Sequence, residues 1–190
     1  IKKHLEKLEN FEIDVNAASH GLVHANPDFI LKESTESISE NVKNEVVIPY
    51  VSMHGSVARI VDYFCDCLIK RGITVKPFNL SVTDTEELAI SLVDAATVIV
   101  GSPAVLGGPH PLALYATYLF KILRPKTKFV SVIGSYGWGS NMLKILQDFL
   151  PSGVELIEPV IVKGYPEEKD FEKIEKLASE IEEKHKSLNL

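Results

Sequence analysis

The sequence has no excess of positive charge, and this argues against nucleic acid as a partner. Its 190 residues carry a net charge of −6, whereas proteins that bind nucleic acid neutralise the phosphates with a basic face. A single bound phosphate is not excluded, because backbone N–H groups can hold such an anion without any lysine. We therefore expect no nucleic-acid partner.

Cysteines and long apolar runs are also scarce. The only two cysteines, Cys65 and Cys67, do not have the Cys-x-x-Cys spacing of a redox dithiol, and on a helix they point to different sides. Reduced thiols are typical of the cytoplasm. No apolar run approaches the roughly 20 residues that span a bilayer, and the charged start, Ile1-Lys2-Lys3-His4, is not typical of a signal peptide. We expect a cytoplasmic protein with no membrane partner.

A regular alternation of strand and helix patterns begins at about residue 45. Strands are predicted over 45–51, 73–79, 97–101, 129–134 and 154–162. Helices are predicted over 57–71, from 83 onward, and over 111–123, 141–150 and 167–187. Thr83 and Glu86 have the spacing of a capping box at the start of the second helix. Such alternation predicts an α/β fold, a flavodoxin-like five-stranded parallel sheet of order 2-1-3-4-5 with helices on both faces. In this fold, ligands bind at the carboxyl edge of the sheet, between strands one and three.

Residues 1–44 do not follow this alternation. We predict a helix over 1–9, a short strand over 11–17, and a second helix that Asn26 caps and Pro27 begins. A polar stretch over 33–44 is interpreted as a linker. The segment is too short for a core of its own, so we expect a binding domain at 45–190 preceded by a small upstream segment.

The first of three glycine-containing loops follows the first predicted strand. Its sequence, Ser52-Met53-His54-Gly55-Ser56, leads into a helix whose unpaired N–H groups and positive dipole end favour an anion. Two serine hydroxyls add further donors, which suits a phosphate monoester. The loop is neither a Walker motif nor a dinucleotide fingerprint. An ordinary strand-to-helix turn with a serine cap is the alternative interpretation.

The second and third loops follow strands three and four. They read Ser102-Pro103-Ala104-Val105-Leu106-Gly107-Gly108 and Ser135-Tyr136-Gly137-Trp138-Gly139. Main chain and apolar side chains together suit a flat ring, and Trp138, the only tryptophan, suits stacking on it. Taken singly, a tight turn and a tryptophan folded onto the core would also explain them. Because all three loops meet at one edge of the sheet, they predict an FMN site and an electron carrier.

The same residues resemble a known family. Tyr50-Val51-Ser52-Met53-His54-Gly55-Ser56, the stretch from Gly101 to Pro111, and Gly134-Ser135-Tyr136-Gly137-Trp138-Gly139 are similar to the flavodoxin-like domain of flavodiiron proteins, also called A-type flavoproteins. The resemblance covers about residues 45–190. Upstream, Ser19-His20-Gly21 resembles the end of that family's metallo-β-lactamase-like domain, in which the histidine is a diiron ligand.

This resemblance implies an oxidoreductase component that binds FMN and passes electrons to a diiron centre, where oxygen or nitric oxide is reduced. It also implies a homodimer and a partner that is a redox protein or a diiron-bearing domain. Carried over by position, the cofactor-binding residues are Ser52, Met53, His54, Gly55, Ser56, Val57, Pro103, Ala104, Val105, Leu106, Gly107, Ser135, Tyr136, Gly137, Trp138 and Gly139. The sequence has no His-x-His-x-Asp-His cluster, so we expect no metal ligand and no catalytic side chain.

Three positions depart from the family pattern. Val57 replaces a hydroxyl residue, Ala104 a threonine and Ser140 a glycine. The lost hydroxyl at Val57 costs about 1–3 kcal/mol, roughly ten- to a hundredfold in affinity. Two alternatives therefore stay open beside the electron carrier, which would be a carboxyl-terminal fragment or a truncated paralogue. One is a flavin-free docking or dimerisation module. The other is a small flavin reductase that uses a nicotinamide donor.

Overall fold

The computed structural model of the chain describes residues 2–8 and 10–190. These fall into two compact units, one that extends to Asn41 and one that comprises Val42–Leu190. No helix in the described part of the chain is both long and apolar enough to cross a membrane.

The first unit contains two helices and a minimal hairpin: α1 (Lys2–Leu8), β1 (Asn16–Ala17), β2 (Val23–His24) and α2 (Pro27–Ile38). The Asn26 side chain accepts a hydrogen bond from the Phe29 N–H at 3.4 Å, so the predicted cap of α2 is confirmed. Of the helix predicted over 1–9, residues 1 and 9 lie outside the described residues. The strand predicted over 11–17 is reduced to β1, and α2 continues into the stretch interpreted as a linker.

The second unit alternates strands and helices along the chain. Its elements are β3 (Lys43–Tyr50), α3 (Ser56–Ile69), β4 (Thr74–Asn79), α4 (Thr85–Leu92), β5 (Ala95–Val105), β6 (Gly108–Pro109), α5 (Pro111–Leu123), β7 (Phe129–Tyr136), α6 (Met142–Asp148), β8 (Glu155–Leu156), β9 (Val160–Lys163) and α7 (Glu168–Ser187). The main path of the sheet is β4-β3-β5-β7-β8, and its neighbours are parallel. The predicted α/β class is confirmed.

Two local features differ from the sequence prediction. The strand predicted over 154–162 is divided into β8 and β9, both paired with β7, with Pro159 between them, which has no N–H to donate to a ladder. Helix α4 is capped by Asp84 and not by Thr83. Asp84 Oδ1 accepts a hydrogen bond from the Glu86 N–H at 2.9 Å, whereas Thr83 Oγ1 donates to the Asn79 carbonyl.

The core consists of two apolar layers, one on each face of the sheet. Helices α3 and α7 cover one face, and α4, α5 and α6 cover the other. Their apolar stripes and the near-continuous apolar strands are those expected of a parallel sheet that is buried on both sides. This packing fixes the strand ends, and with them the loops that follow.

Gly134, near the carboxyl end of β7, packs directly against the end of β5. A Cβ atom on Gly134 would lie 2.3 Å from the Ser102 carbonyl oxygen and 2.7 Å from Met142 Cε. Only glycine allows this approach. It brings the loops that follow the two strands side by side.

Candidate functional site: the carboxyl edge of the sheet

The first loop leaves hydrogen-bond donors free at the start of α3. Gly55 is the N-cap residue at φ 86°, a conformation that favours glycine, and it offers no side chain to cap the helix. Ser52 Oγ accepts a hydrogen bond from the Ala58 N–H at 3.1 Å. Among residues 2–8 and 10–190, no group accepts from the N–H of Ser56 or Val57. Two first-turn donors and two serine hydroxyl protons are therefore available to an anion.

The second loop is a hairpin that extends from the sheet. Strand β5 continues to Val105, past the predicted end at residue 101, and pairs with the short antiparallel strand β6. Ser102 Oγ anchors the base of this hairpin, because it accepts a hydrogen bond from the His110 N–H and donates one to the Pro103 carbonyl, both at 2.9 Å. The loop is thus held in place before any ligand binds.

The turn of this hairpin carries a strained, fully exposed leucine. Leu106 has φ 49° and Gly107 has φ 81°, so both central residues occupy the left-handed region of a two-residue hairpin turn. Glycine accepts this conformation readily, whereas for leucine it costs about 1–2 kcal/mol. Strain of this kind is concentrated at binding sites. The turn conformation places the apolar Leu106 side chain at the edge of the site.

The third loop carries Trp138 and is attached to the hairpin. Trp138 is 90% exposed, so it is not folded back onto the core. The Asn141 N–H donates to the Gly107 carbonyl at 2.7 Å. Ser140 accepts a hydrogen bond from the Met142 N–H at 3.0 Å through its Oγ atom. This serine therefore helps to begin α6 beside the hairpin turn.

Two neighbouring cavities lie between the three loops. The first, about 180 Å³, is lined by Ser52, Met53, His54, Ser56, Val57, Pro103, Ala104, Val105 and Ser135. The second, about 430 Å³, is lined by Ala104, Leu106, Gly107, Gly137, Trp138 and Gly139. Ala104 contributes to both, and neither lining includes an Asp, Glu, Lys or Arg side chain. Of the residues predicted to bind the cofactor, only Gly55 and Tyr136 line neither cavity.

Val57 belongs both to the apolar core and to the wall of the smaller cavity. Its side chain is 1% exposed and belongs to the core cluster on the α3 face of the sheet. It also forms part of the wall of the smaller cavity, and its N–H is one of the two free donors. Val57 therefore contributes a backbone donor and no side-chain donor to this wall.

The histidines at this edge do not form a metal site. His54 is exposed in the first loop. His110 Nδ1 accepts a hydrogen bond from the Leu112 N–H at 3.2 Å and so caps α5. Within the described residues, no three His, Cys, Asp or Glu side chains lie close enough together to hold a metal ion.

A buried polar cluster that was not predicted from the sequence lies at the opposite edge of the sheet. His185 of α7 is 2% exposed. Its Nε2 lies 2.7 Å from Thr97 Oγ1, and its Nδ1 lies 2.7 Å from Asn44 Oδ1. Burial lowers the pKa of His185 to about 4, because a charged imidazolium is poorly solvated there. The apolar stripe of α7 gave no signal of these distant partners.

The chain is similar in sequence to several known oxidoreductases. No protein-family profile matches the sequence. The "Nitric oxide reductase" of Moorella thermoacetica is 32% identical over 187 residues, which cover 95% of this chain and 47% of that protein. The "Rubredoxin-oxygen oxidoreductase" of Megalodesulfovibrio gigas is 29% identical over 167 residues, which cover 85% of this chain and 42% of that protein. The chain thus spans about half the length of the curated relatives it matches.

Solved structures agree with the fold. The rubredoxin oxygen:oxidoreductase from Desulfovibrio gigas superposes with a TM-score of 0.90 at 27% identity, covering 98% of this chain and 48% of its own. The flavodiiron protein from Giardia intestinalis, at 19% identity and TM-score 0.78, shows the fold alone, as does an archaeal flavodoxin at 20% and 0.61. The archaeal flavodoxin is covered almost completely, at 99% of its length. The flavodoxin-like fold is confirmed, and the homologues of this chain include flavodiiron proteins.

Proposed function

We propose that this chain is an FMN-binding electron-transfer domain of the flavodiiron type, an oxidoreductase component that passes electrons to a diiron centre carried elsewhere. One observation carries the proposal. Two adjoining uncharged cavities lie at the carboxyl edge of a flavodoxin-like sheet, and free N–H donors lie at one end and an exposed tryptophan at the other. An amphipathic ligand with a phosphate at one end and a flat ring at the other fits this arrangement.

The smaller cavity would hold the phosphate. The N–H groups of Ser56 and Val57 are free to donate to its oxygens, and the hydroxyls of Ser52 and Ser56 can do the same. The positive end of the α3 dipole adds to this attraction. The lining has no lysine or arginine, so neutral donors alone would bind the anion.

The larger cavity would hold the ring. The exposed side chains of Leu106 and Trp138 would supply apolar surface to the ring, and the backbone of the hairpin turn would supply polar groups. The hydrogen bond from Asn141 to Gly107 keeps the two ring-binding loops together. These residues would bind and orient the ring.

Bound FMN supplies the chemistry, which is the acceptance and donation of one or two electrons. No side chain in the two cavities is required as an acid, a base or a nucleophile. The similarity to a nitric oxide reductase and a rubredoxin-oxygen oxidoreductase supports a redox protein or a diiron-bearing domain as the partner. We further propose a cytoplasmic homodimer, in which residues 1–44 are the end of an upstream metallo-β-lactamase-like domain with its linker.

The experiment compares FMN with riboflavin, which lacks the phosphate, on the wild-type chain and two variants. Trp138→Ala removes the ring platform, and Tyr165→Ala removes an aromatic residue that is also exposed but lines neither cavity. We expect the wild type to bind FMN more tightly than riboflavin. We also expect Trp138→Ala to weaken both ligands by roughly tenfold or more, since stacking on an aromatic side chain is worth about 1–3 kcal/mol. Equal losses in Tyr165→Ala, or equal affinity for the two ligands, would contradict the assignment.

A second variant tests the departure at Val57. Val57→Thr restores a hydroxyl to the wall of the smaller cavity with almost no change in volume. We expect FMN affinity to rise roughly ten- to a hundredfold, with riboflavin affinity unchanged. The thermal midpoint should fall slightly, because a hydroxyl enters a core position that is 1% exposed. A parallel gain for riboflavin would show that the hydroxyl does not act on the phosphate.

A further inference from the structure

His54 differs from the other described residues that line the two cavities, because it alone has an ionisable side chain. The rest of the two linings consists of serines, glycines and apolar or aromatic residues that carry no charge at neutral pH. Histidine changes its charge between pH 5 and 8, because its ordinary pKa is about 6.5. The charge of this site therefore depends on pH through one side chain.

The imidazole of His54 is not committed to another group of the protein. His54 is exposed, and across residues 2–8 and 10–190 its ring takes part in no hydrogen bond or ion pair. By contrast, the rings of His110 and His185 are both held by hydrogen bonds. The ring of His54 is thus available to a ligand and to a proton from solvent.

His54 adjoins the donors that would hold the phosphate. It immediately precedes Gly55, the N-cap residue of α3, and the N–H donors of Ser56 and Val57 follow. His54, Ser56 and Val57 all line the smaller cavity. A protonated imidazole at this position would add a positive charge beside N–H groups and a helix dipole end that already favour an anion.

Charged residues of the neighbouring elements do not line the site. On α3, the Arg59 guanidinium lies 5.6 Å from the centroid of the Phe171 ring, and Asp62 follows further along the helix. At the neighbouring strand ends, Lys163 ends β9 and Asp84 caps α4. None of these four charged side chains lines either cavity. His54 is therefore the side chain through which the protein can place a cation against a ligand here.

We propose that His54 makes FMN binding proton-linked, by pairing in its protonated form with the phosphate and so favouring the flavin that carries one. This inference rests on the proposed function and adds a means of regulation to the same site. The imidazole takes its proton from solvent as FMN binds and returns it on release, and no covalent bond of the flavin changes. Above about pH 8 the imidazole is neutral, and the anion is bound by neutral donors alone.

The two titrating groups act in opposite directions as the pH falls. A phosphate monoester takes up its second proton with a pKa of about 6, so a site made only of neutral donors binds FMN less tightly in acid. Protonated His54 acts against this loss, because an imidazolium that donates to a phosphate strengthens binding by about tenfold. Since histidine is only partly protonated at pH 6.5, we expect a net gain in FMN affinity of roughly threefold between pH 8 and 6.5.

The experiment measures FMN and riboflavin affinity at pH 8 and 6.5. We expect the roughly threefold gain for FMN in the wild type and no gain for riboflavin. His54→Gln should show no gain for FMN. His54→Arg keeps a positive charge at both pH values, so it should bind FMN more tightly than the wild type at pH 8 and lose the dependence on pH. His20→Gln is the matched control, since it removes an exposed histidine that lines neither cavity, and it should keep the wild-type gain.

Proton uptake is a second, independent readout. Calorimetric titration with FMN near pH 7, in two buffers of different ionisation enthalpy, should show uptake of a proton fraction by the wild type and no uptake by His54→Gln. Equal pH profiles for these two proteins, or an equal gain for riboflavin, would overturn the role of His54 and leave the proposed function intact. No binding of either flavin at any pH would overturn the proposed function and this inference with it.

Discussion

Acidification should destabilise the folded chain through one buried residue, His185. Asn44 Oδ1 can only accept a hydrogen bond, so His185 Nδ1 must carry the proton, and Nε2 then accepts from the Thr97 hydroxyl. The Asn44 amide nitrogen donates to the Gly72 carbonyl, which fixes the orientation of this side chain. The hydrogen-bond partners of His185 are therefore arranged to bind a neutral imidazole. Protonation would place a second N–H against a hydroxyl that already serves as a donor.

The magnitude follows from the shift in pKa. In the unfolded chain His185 protonates near its ordinary value of 6.5, whereas in the folded chain its pKa is about 4. Below pH 6.5 the unfolded state therefore binds a proton that the folded state does not, and stability falls with pH until the folded pKa is reached. Each pKa unit corresponds to about 1.4 kcal/mol. With allowance for solvent screening, we expect a loss of about 2 kcal/mol between pH 7.5 and 4.5.

The assay is urea unfolding, followed by far-ultraviolet circular dichroism at several pH values in this window. His185→Gln removes the titrating group, and His54→Gln removes an exposed histidine of the first loop as the control. We expect His185→Gln to be less stable at pH 7.5 but to lose about 2 kcal/mol less than the wild type on acidification. The reasoning is refuted if all three proteins lose the same stability, or if nuclear magnetic resonance finds a His185 pKa near 6.5.

Two further predictions concern the loops at the site. Leu106→Asn should raise the free energy of unfolding by about 1 kcal/mol, since asparagine tolerates the left-handed conformation at φ 49°; a lower thermal midpoint would contradict the strain. Gly134→Ala should cost on the order of 2–3 kcal/mol, because its Cβ would lie 2.3 Å from the Ser102 carbonyl oxygen. Gly137→Ala is the control, with no atom within 4 Å of its added Cβ; equal losses in the two alanine variants would count against the close approach.

The sequence was most informative where local chemistry decides the structure. The bounds of α5, Pro111–Leu123, agree with the prediction, because Pro111 suits a first helical turn and Pro125 follows its end. The loops that surround the two cavities were located from glycine, serine and aromatic residues at strand ends. Their common edge follows from the parallel alternation alone.

Tertiary effects account for what the sequence could not predict. Leu106 lies in a left-handed turn that its residue type disfavours, so the hairpin of β5 and β6 has no turn signature of the usual kind. His185 is separated from its partners Asn44 and Thr97 by 141 and 88 residues, and helical periodicity carries no information about partners so distant in the sequence. The Asp84 cap was missed because Thr83 and Glu86 have the spacing of a capping box.

The central claim is that this chain binds FMN, and the most direct test is a titration of the wild-type chain with FMN. Trp138, the only tryptophan, lines the larger cavity, so its emission should fall as FMN binds. After desalting, the absorption spectrum should retain oxidised flavin at about one equivalent per chain. Unchanged Trp138 emission and a flavin-free spectrum from a chain that is folded by circular dichroism would contradict the account and favour a flavin-free docking module.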